Sequence, residues 1–380
     1  MKRILILADA YTQPSYAPRL RYLCDYLTRQ GHEIEVYTEK WTPLTFEHDY
    51  PIHEITFYYL GQPAWFVKSA YSMLTDWKER YFAKQVLKRT KGQKFDLVFC
   101  TTFSTFPLGA AVRVAKALQL PLHADIRDVN EQVPGNQYIQ HTNWYFTPFR
   151  WLYSKIYIQR RNAALPNADC ITTVSPWHVD FLKAFNPNVH LVYNGYDPSV
   201  FCPKDVKNDV FRINYIGRVY RFQDPSLLSQ ALKELKINDI QVNFYSNAVA
   251  SRYVKNRHFN LYGYIPSSAV SSVIQRSGIL LVLSDEKARG MMTTKFFEAV
   301  GCEKPVLCIP SDNGVLAQAI KETNAGLASS NVEEIKAFIL DKYNEWKQNG
   351  FTHQAVRNKE QYSRETEAQY MEELMMGLCR

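Results

Sequence analysis

The sequence lacks the two glycine-rich motifs with which many enzymes hold phosphate groups. Neither G-x-G-x-x-G nor G-x-x-x-x-G-K-[ST] follows any apolar segment that resembles a strand. Dinucleotide-dependent dehydrogenases and P-loop kinases carry these motifs because their glycines let backbone amides approach the phosphates. The sequence therefore does not support either of these enzyme classes.

Cysteine is sparse, and its distribution is irregular. The seven cysteines form no C-x-x-C pair, and no group of cysteine and histidine has the spacing of a zinc site. Several of them lie inside apolar segments, where a thiol behaves as a small hydrophobic side chain. We therefore expect a protein of a reducing compartment that uses no metal ion and no other cofactor.

Long apolar runs are missing as well. No stretch approaches the ~18–20 apolar residues that a membrane-spanning helix needs. The apolar run of five residues before Asp9 is shorter than the apolar core of a signal peptide and is typical of a buried strand. These features predict a cytoplasmic protein, and they leave peripheral contact with a membrane open.

The composition that is present suits two globular domains. The chain has 380 residues, of which 46% are hydrophobic and 22% charged, and a chain of this length usually forms two domains of roughly 150–200 residues. The formal net charge is +8. It indicates either a slightly basic surface or a preference for anionic partners.

Apolar residues alternate between the periodicity of a strand and that of a helix. Residues 4–7 form an apolar run, residues 20–27 repeat with helical spacing, and residues 34–36 alternate as a strand. The crossover of such a β–α–β unit is almost always right-handed, which implies a parallel sheet. Further strands are predicted at 95–100, 121–126, 169–174, 190–193, 211–216, 240–245, 279–283 and 305–309.

Residues 194–204 interrupt this alternation with turn-forming residues and prolines, as a linker would. The sequence therefore predicts an α/β protein of two doubly wound, Rossmann-like domains that face a central cleft. Their predicted bounds are 1–195 and 196–359, and a helix at about 360–380 is expected to pack back on the first domain. Ligands of open parallel sheets bind beyond the carboxyl ends of the strands.

The stretch RGMMTTKFFEAVGCEKPVL, residues 289–307, is predicted to form a turn, a short helix, a turn and a buried strand. Lys295 and Glu298 lie in the first turns of the helix, and the amides of residues 291–294 are expected to be its unpaired first N–H groups. Such a helix start suits a phosphate or another polar ligand. The alternative is an ordinary ion pair between residues i and i+3, worth ~0.2–0.5 kcal/mol.

This stretch resembles the C-terminal signature of the retaining GT-B glycosyltransferases of group 1, also called family 4. Other motifs of that family are matched in the same order, at RLRYLCDYLTRQGHEIEVYT (19–38), ADIRDVNEQ (124–132), LVYNGYDPSVF (191–201) and INYIGR (213–218). Each match is weak, and their order and spacing together are specific. The diglycine that usually precedes the first helix of the family is absent.

The resemblance implies that Glu298 binds the ribose of a nucleotide-sugar donor. Many members carry a second glutamate eight positions earlier, where this chain has Gly290, a departure shared with one subgroup. The sugar contact of that glutamate is then expected to come from the backbone amides of residues 291–293, which include Met292 and Thr293.

The resemblance also implies that Arg218 and Lys295 bind the diphosphate and stabilise it as it leaves. A lysine that the family usually has further along the first of these loops falls on Gln223. Arg221 is the nearest cation and is expected to replace it, unless it is a solvated surface arginine. The nucleotide base is expected to lie against residues 264–265, Tyr264 and Ile265, although packing would explain Tyr264 equally well.

The N-terminal half contributes a second set of polar residues near predicted strand ends. The resemblance gives them the acceptor hydroxyls or the departing phosphate, and the alternative is a buried pair of arginine and aspartate that fixes the loop. These residues are Arg19, Asp125, Arg127 and Asp128.

Aromatic and basic residues interleave over 65–94 and 143–161. Such a composition suits a membrane interface, the stacking of bases of single-stranded nucleic acid, or a core covered by a charged helix face. Because positive charges cluster there, we favour an anionic membrane surface and expect no nucleic acid as a partner.

The predicted function is the transfer of a sugar, with retention, from a UDP- or GDP-sugar to a glycan or lipid-linked acceptor in bacterial surface polysaccharide synthesis. Its transition state would resemble an oxocarbenium ion, with the leaving phosphate accepting the proton of the acceptor, as is usually proposed for the family. The alternatives are a nucleotide-sugar 2-epimerase of the same fold, a protein that binds sugar nucleotides without catalysis, and a nucleic-acid binder.

Overall fold

A computed structural model of the chain describes residues 1–9, 11, 18–40, 46–57, 71–103, 105–132, 150–220, 222–247 and 258–379. The chain divides into two compact units. Unit 1 comprises Met1–Tyr193 together with Glu367–Arg380, and unit 2 comprises Asn194–Thr366.

Unit 1 is built on a seven-stranded parallel sheet with the strand order β3-β2-β1-β4-β5-β6-β7. The chain starts in the middle of this sheet, and the order reverses between β1 and β4, as in other doubly wound folds. The strands are β1 (Arg3–Ala8), β2 (Glu33–Glu39), β3 (Ile52–Ile55), β4 (Leu97–Thr102), β5 (Leu122–Ile126), β6 (Cys170–Thr173) and β7 (Val189–Leu191).

Helices cover both faces of this sheet with their apolar sides. The helix α1 (Pro18–Arg29) buries Leu20, Leu23 and Leu27 and is followed by Gly31, whose positive φ of 81° suits a residue without a side chain. The other helices of the unit are α2 (Trp77–Arg89), α3 (Leu108–Leu118), α4 (Arg150–Ala164), α5 (Pro176–Leu182) and α11 (Arg364–Leu378).

Unit 2 repeats the arrangement with a six-stranded parallel sheet, in the order β10-β9-β8-β11-β12-β13. Its strands are β8 (Phe211–Ile216), β9 (Ile240–Tyr245), β10 (Phe259–Tyr262), β11 (Ile279–Leu283), β12 (Val306–Ile309) and β13 (Gly326–Ala328). Its helices are α6 (Ser226–Leu235), α7 (Ser267–Gln275), α8 (Thr294–Gly301), α9 (Val315–Thr323) and α10 (Val332–Asn349).

A row of asparagines crosses the second sheet. Asn214, Asn243 and Asn260 are register partners on β8, β9 and β10. Asn260 donates to Asn243 at 3.1 Å, and Asn243 donates to Asn214 at 3.0 Å. Asn214 in turn donates to the hydroxyl of Ser277 at 2.9 Å. Because a shift of one residue would break every amide contact, the row favours a single strand register.

The structure confirms the predicted fold class, an α/β protein with two parallel, Rossmann-like sheets. Strands β3, β10 and β13 were not predicted, because each has at most four residues and most of them are only partly buried. The helix α11 lies within the segment predicted at about 360–380, and its residues Met371 and Met375 are buried in the core of unit 1. Among the described residues, no helix is long and apolar enough to cross a membrane.

Candidate functional site

The loops after β8 and β11 leave the sheet of unit 2 where its strand order reverses. These strands are neighbours and parallel, so their carboxyl ends lie at the same edge of the sheet. The loop after β8 carries Gly217 and Arg218, and the loop after β11 leads into α8 with Lys295 and Glu298. The fold therefore brings together the two segments to which the sequence assigned the diphosphate and the ribose.

Lys295 extends across the start of the loop after β8. A Cβ atom on Gly217 would lie 3.4 Å from Cε and 3.5 Å from Nζ of this lysine, and Gly217 has a φ of +106°. The ammonium also lies 4.9 Å from the centre of the Tyr215 ring. The lysine is thus held at the end of β8, and burial lowers its pKa to about 8, against the attraction of Glu298.

Glu298 lies one turn further along α8 and is partly buried. Burial raises the pKa of its carboxyl to about 7, although Arg364 and Lys295 both favour the charged form. Within the described residues, Lys295 and Glu298 do not come within the 4 Å of an ion pair. The alternative of an ordinary i, i+3 pair therefore does not describe these side chains.

Arg218 projects from the same edge of the sheet with its side chain exposed. Its guanidinium carbon lies 5.4 Å from the centre of the Tyr220 ring, and it forms no ion pair with the part of the chain that the structure describes. Its carbonyl accepts a hydrogen bond of 2.6 Å from the hydroxyl of Tyr215. The backbone is thus fixed while the charge stays accessible.

Gln223 fixes the loop after β8, a role that the sequence did not reveal. Its amide nitrogen donates to the carbonyl of Leu283 at 2.6 Å, and its amide oxygen accepts from the backbone of Tyr220 at 3.0 Å and from the hydroxyl of Tyr215 at 3.2 Å. This side chain, at the place of the usual family lysine, therefore joins the ends of β8 and β11. Arg221, its expected substitute, lies outside the described residues.

The start of α8 differs by one amide from the expectation. The helix begins at Thr294 with Thr293 as its N-cap, and the amide of Met291 already donates to the carbonyl of Ala288 at 2.8 Å. The prediction that residue 291 offers a free N–H was therefore wrong. In the described backbone, the amides of residues 292–295 make no hydrogen bond, and the side chain of Met292 is buried.

The residues expected near the nucleotide base lie after β10. Tyr264 is 63% exposed, so it is not packed in a core, and Ile265 is partly buried. Next to them, Tyr245 and Tyr262 stack with ring centres 5.1 Å apart at the ends of β9 and β10. The sequence did not indicate this pair, because its two tyrosines lie on different strands and are 17 residues apart.

In unit 1, Asp125 is enclosed by hydrogen-bond donors. Its side chain accepts from Arg19 at 3.0 Å, from Thr101 at 2.9 Å and from Thr172 at 2.8 Å. The two threonines are its register partners on β4 and β6, so the three strands form one polar row. Asp125 and Arg19 are both buried, which agrees with the alternative of a structural ion pair.

Arg127 also forms a buried ion pair, but its partner is Asp9 at the end of β1, at 2.6 Å. The other carboxyl oxygen of Asp9 accepts from the amide of Phe103 at 2.7 Å. Asp128 is partly buried, and burial raises its pKa to about 7 against the influence of Arg127. The protonation state of Asp128 therefore changes near neutral pH.

In unit 1, Glu367 is also an acid that the sequence analysis did not mark. Glu367 on α11 accepts from the amide of Tyr193 at 2.9 Å. Burial raises its pKa to about 8, although Arg19 favours the charged form. Arg19 keeps one terminal nitrogen, Nη1, buried and without a hydrogen-bond partner among the described residues. The hydrogen bond between Tyr193 and Glu367 joins residues far apart in sequence, so no local sequence pattern could indicate it.

The two aromatic and basic stretches are only partly described. On α2, Lys84, Lys88 and Arg89 are exposed, as expected for a solvated helix face. On α4, Trp151 is 68% exposed, and the ammonium of Lys155 lies 5.0 Å from the centre of its ring. Residues 65–70 and 143–149 of these stretches lie outside the described residues.

Comparison with known protein families supports the family resemblance of the N-terminal half. The family model described as Glycosyltransferase Family 4 matches residues 18–200. No curated protein matches the chain.

Solved structures of similar fold extend over the whole chain. One is a sucrose-phosphate synthase from Thermosynechococcus elongatus, with a TM-score of 0.67 at 15% identity over 99% of each chain. Another is Anabaena Alr3699/HepE in complex with UDP and glucose, with 0.63 at 13% identity over 100% of each chain. A UDP-GlcNAc 2-epimerase from Neisseria meningitidis scores 0.58 at 11% identity, over 99% of this chain and 100% of that chain. At such identities the likeness shows a shared GT-B fold.

Proposed function

We propose that the chain transfers a sugar from a nucleotide-diphosphate donor to a glycan or lipid-linked acceptor, with retention of configuration, because the family model described as Glycosyltransferase Family 4 matches its residues 18–200. The donor would bind to unit 2, at the carboxyl ends of β8 and β11. The acceptor would be a glycan or lipid-linked sugar of a surface polysaccharide. For the C-terminal half, the support for the proposal is its fold and the residues of the candidate site described above.

The observation that carries the proposal is the pair of cations at the switch point of unit 2. Arg218 and Lys295 form no ion pair within the described residues, and the open amides of residues 292–295 lie at the start of α8. Cations and helix N-termini stabilise the charge that develops on a leaving diphosphate. At a pKa of about 8, Lys295 is mostly protonated at neutral pH. Glu298 would accept hydrogen bonds from the ribose.

In this mechanism the chain stabilises the leaving group and supplies no nucleophile. As the bond between the sugar and the diphosphate breaks, the sugar gains oxocarbenium character and negative charge grows between Arg218 and Lys295. The acceptor hydroxyl attacks the same face of the sugar, and its proton passes to the leaving phosphate. Side-chain cations would thus neutralise the diphosphate.

A thermal-shift series with UDP-, GDP-, CMP- and dTDP-sugars tests the donor. The nucleotide sugar that binds should stabilise the folded protein by ~2.7 kcal/mol when its concentration is about 100 times its Kd. We expect a UDP-sugar to bind, because HepE, a protein of similar fold, was solved in complex with UDP and glucose. The matched control is Lys295→Met, which keeps the length of the side chain and removes its charge. The proposal fails if no nucleotide sugar shifts the wild type, or if the control shifts equally.

The fold is shared with a 2-epimerase, so product analysis has to separate the two reactions. A 2-epimerase would invert C2 of the donor sugar without an acceptor, whereas a transferase couples release of the nucleoside diphosphate to a glycosylated product. A pure binding protein, which the glycine at position 290 keeps open, would show neither. Transfer of radiolabelled sugar to a membrane-derived acceptor fraction identifies a transferase, and analysis of the donor incubated without that fraction separates an epimerase from a binding protein.

We also propose that unit 1 contacts an anionic membrane, which would bring the enzyme to a lipid-linked acceptor. The support is the exposed basic set on α2 and the exposed ring of Trp151 beside Lys155 on α4. A cation near such a surface contributes ~1 kcal/mol. The triple change of Lys84, Lys88 and Arg89 to Glu should abolish sedimentation with anionic vesicles and leave UDP binding intact. If the wild-type protein does not sediment with anionic vesicles at low salt, contact of unit 1 with an anionic membrane is ruled out.

A further inference from the structure

Unit 2 contains a polar cavity that shares no lining residue with the candidate donor site. It has a volume of about 640 Å³ and opens where β12 and β13 end and α10 begins. Its lining combines carboxylates with hydroxyl and amide groups. Its polar side chains include those of Glu286, Ser311, Asn313, Ser329, Ser330 and Glu334.

Each of the two carboxylates is held by one neighbour and has one oxygen left. Glu286 accepts from the side-chain amide of Asn313 at 2.7 Å. Glu334 accepts from the hydroxyl of Ser329 at 2.6 Å. Within the described residues, the second oxygen of each carboxylate has no hydrogen-bond partner. The cavity therefore presents two fixed acceptors, and the side chains that carry them are anchored before any ligand arrives.

The same cavity offers hydrogen-bond donors. The hydroxyl of Ser330 accepts from the amide of Ser311 at 3.1 Å, so its own hydrogen is directed elsewhere. The amide of Asn313 has a second N–H beyond the one donated to Glu286. A hydroxyl group both donates and accepts, so neighbouring hydroxyls of a sugar ring match alternating carboxylate acceptors and hydroxyl or amide donors.

The charge of the lining selects against phosphates. Among the described residues, it includes two acids and no lysine, arginine or histidine. The start of α10, which would otherwise attract an anion, is closed because Asn331 accepts from the amide of Glu333 at 2.8 Å. We propose that this cavity binds a neutral sugar ring through paired hydroxyl contacts to Glu286 and Glu334. The site is separate from the donor site and would exist even if the proposed function were wrong.

A sugar bound here would also fix the loop that leads to the donor site. Glu286 belongs to the segment between β11 and α8. The carbonyl of Arg289 in that segment accepts from the amide of Val315 at 2.8 Å. Gly314 lies so close that a Cβ there would be 2.0 Å from the carbonyl oxygen of Arg289. Occupation of the cavity should therefore reduce hydrogen exchange of the segment 286–293.

Saturation-transfer NMR tests the proposal with the methyl glycosides of glucose, galactose and mannose at millimolar concentration. With the wild type, at least one glycoside should show a saturation-transfer signal. The double variant Glu286→Gln with Glu334→Gln should bind that glycoside about tenfold or more weakly, since each change removes hydrogen bonds to a charged acceptor. The matched control is Glu333→Gln, which removes the neighbouring carboxylate that binds Lys336 instead of lining the cavity. A second control, Lys295→Met, should keep the glycoside signal and lose UDP affinity.

Three results would overturn the proposal: no saturation of any glycoside, a signal that survives the double variant, or a signal that Lys295→Met abolishes. The last would place the sugar in the donor site. Stabilisation by Ca²⁺ that the double variant abolishes, without glycoside binding, would make the cavity a cation site instead. Both glutamates are exposed, and the single variants provide the same comparison if the double variant unfolds. UDP affinity is measured on every variant, so failure here is distinct from failure of the proposed function.

Discussion

The carboxyl edges of the two sheets carry similar residues in opposite states. In unit 1, the guanidinium of Arg19 is bound to the buried Asp125 at 3.0 Å and that of Arg127 to the partly buried Asp9 at 2.6 Å. In unit 2, Arg218 and Lys295 form no ion pair with any described residue. Within the described residues, the fold thus neutralises the cations at the carboxyl edge of unit 1 with aspartates, whereas it leaves those at the edge of unit 2 without an ion pair.

The largest expected effect breaks the comparison on the side of unit 1. Asp125→Ala should lower the free energy of unfolding by about 3–5 kcal/mol, because Arg19 would remain buried without a counter-charge. Chemical denaturation monitored by circular dichroism measures it. The control Asp125→Asn keeps the shape and the threonine contacts and should recover part of the loss. A stable Asp125→Ala protein that binds UDP normally but lacks transfer activity would instead assign Asp125 to the acceptor.

The next effect tests the side of unit 2. Arg218→Ala and Lys295→Ala should each lower kcat by roughly 10²–10³, the scale for losing one group that stabilises developing charge. Their thermal midpoints should stay near that of the wild type, because neither cation forms an ion pair with a described residue. Steady-state kinetics with saturating donor measures the loss. If kcat survives both changes, other groups hold the diphosphate.

A smaller effect separates ribose from diphosphate. Glu298→Ala should weaken free UDP and the UDP-sugar equally, by about 1.5–3 kcal/mol, the range for a hydrogen bond to a charged group. Calorimetric titration with both ligands shows whether the two losses agree. Glu298→Gln, which keeps an acceptor oxygen, should lose less. Unchanged affinity in Glu298→Ala would leave Glu298 with no part in donor binding.

The smallest effect is a pH dependence. The rate constant kcat/KM reports ionisations of the free enzyme. It should fall as pH rises through about 8, where Lys295 loses its charge, and as pH drops through about 7, where Glu298 becomes protonated. Lys295→Arg should move the alkaline limb upward, because a guanidinium stays protonated.

Glu367→Gln serves as the control for this profile. Glu367 lies in unit 1 and has a pKa raised to about 8 by burial. If its removal moves the alkaline limb while Lys295→Arg does not, the limb belongs to unit 1. The contrast between the two edges would then need revision.

The sequence predicted what depends on local periodicity and missed what depends on distant contacts. The helix α1 follows from its spacing of leucines, and the buried strand β11 follows from its apolar run. The clamp formed by Gln223 exists because the fold brings the carbonyl of Leu283, 60 residues away, within 2.6 Å. The bond from Tyr193 to Glu367 spans 174 residues. Such contacts have no signature in the neighbouring sequence.

The pairing of arginines shows the same limit in the candidate site. The motif around Arg127 indicated a buried arginine–aspartate pair as one alternative, and such a pair is present. Its partner, however, is Asp9, 118 residues away, and not Asp125 or Asp128 beside it. Sequence patterns thus indicated the residue types of the edge, whereas the three-dimensional structure was needed to find which charges neutralise each other.

The return of α11 to unit 1 has a consequence for biosynthesis. Ala368, Met371 and Met375 belong to the same apolar cluster as the strand β1, yet the ribosome makes them only after all of unit 2. Domains usually fold in the order in which they emerge. Here the unit that emerges first has to wait with an open apolar surface while the later one completes its own core. A nascent chain arrested before residue 367 should therefore recruit chaperones at unit 1, even though most of that unit has already been translated.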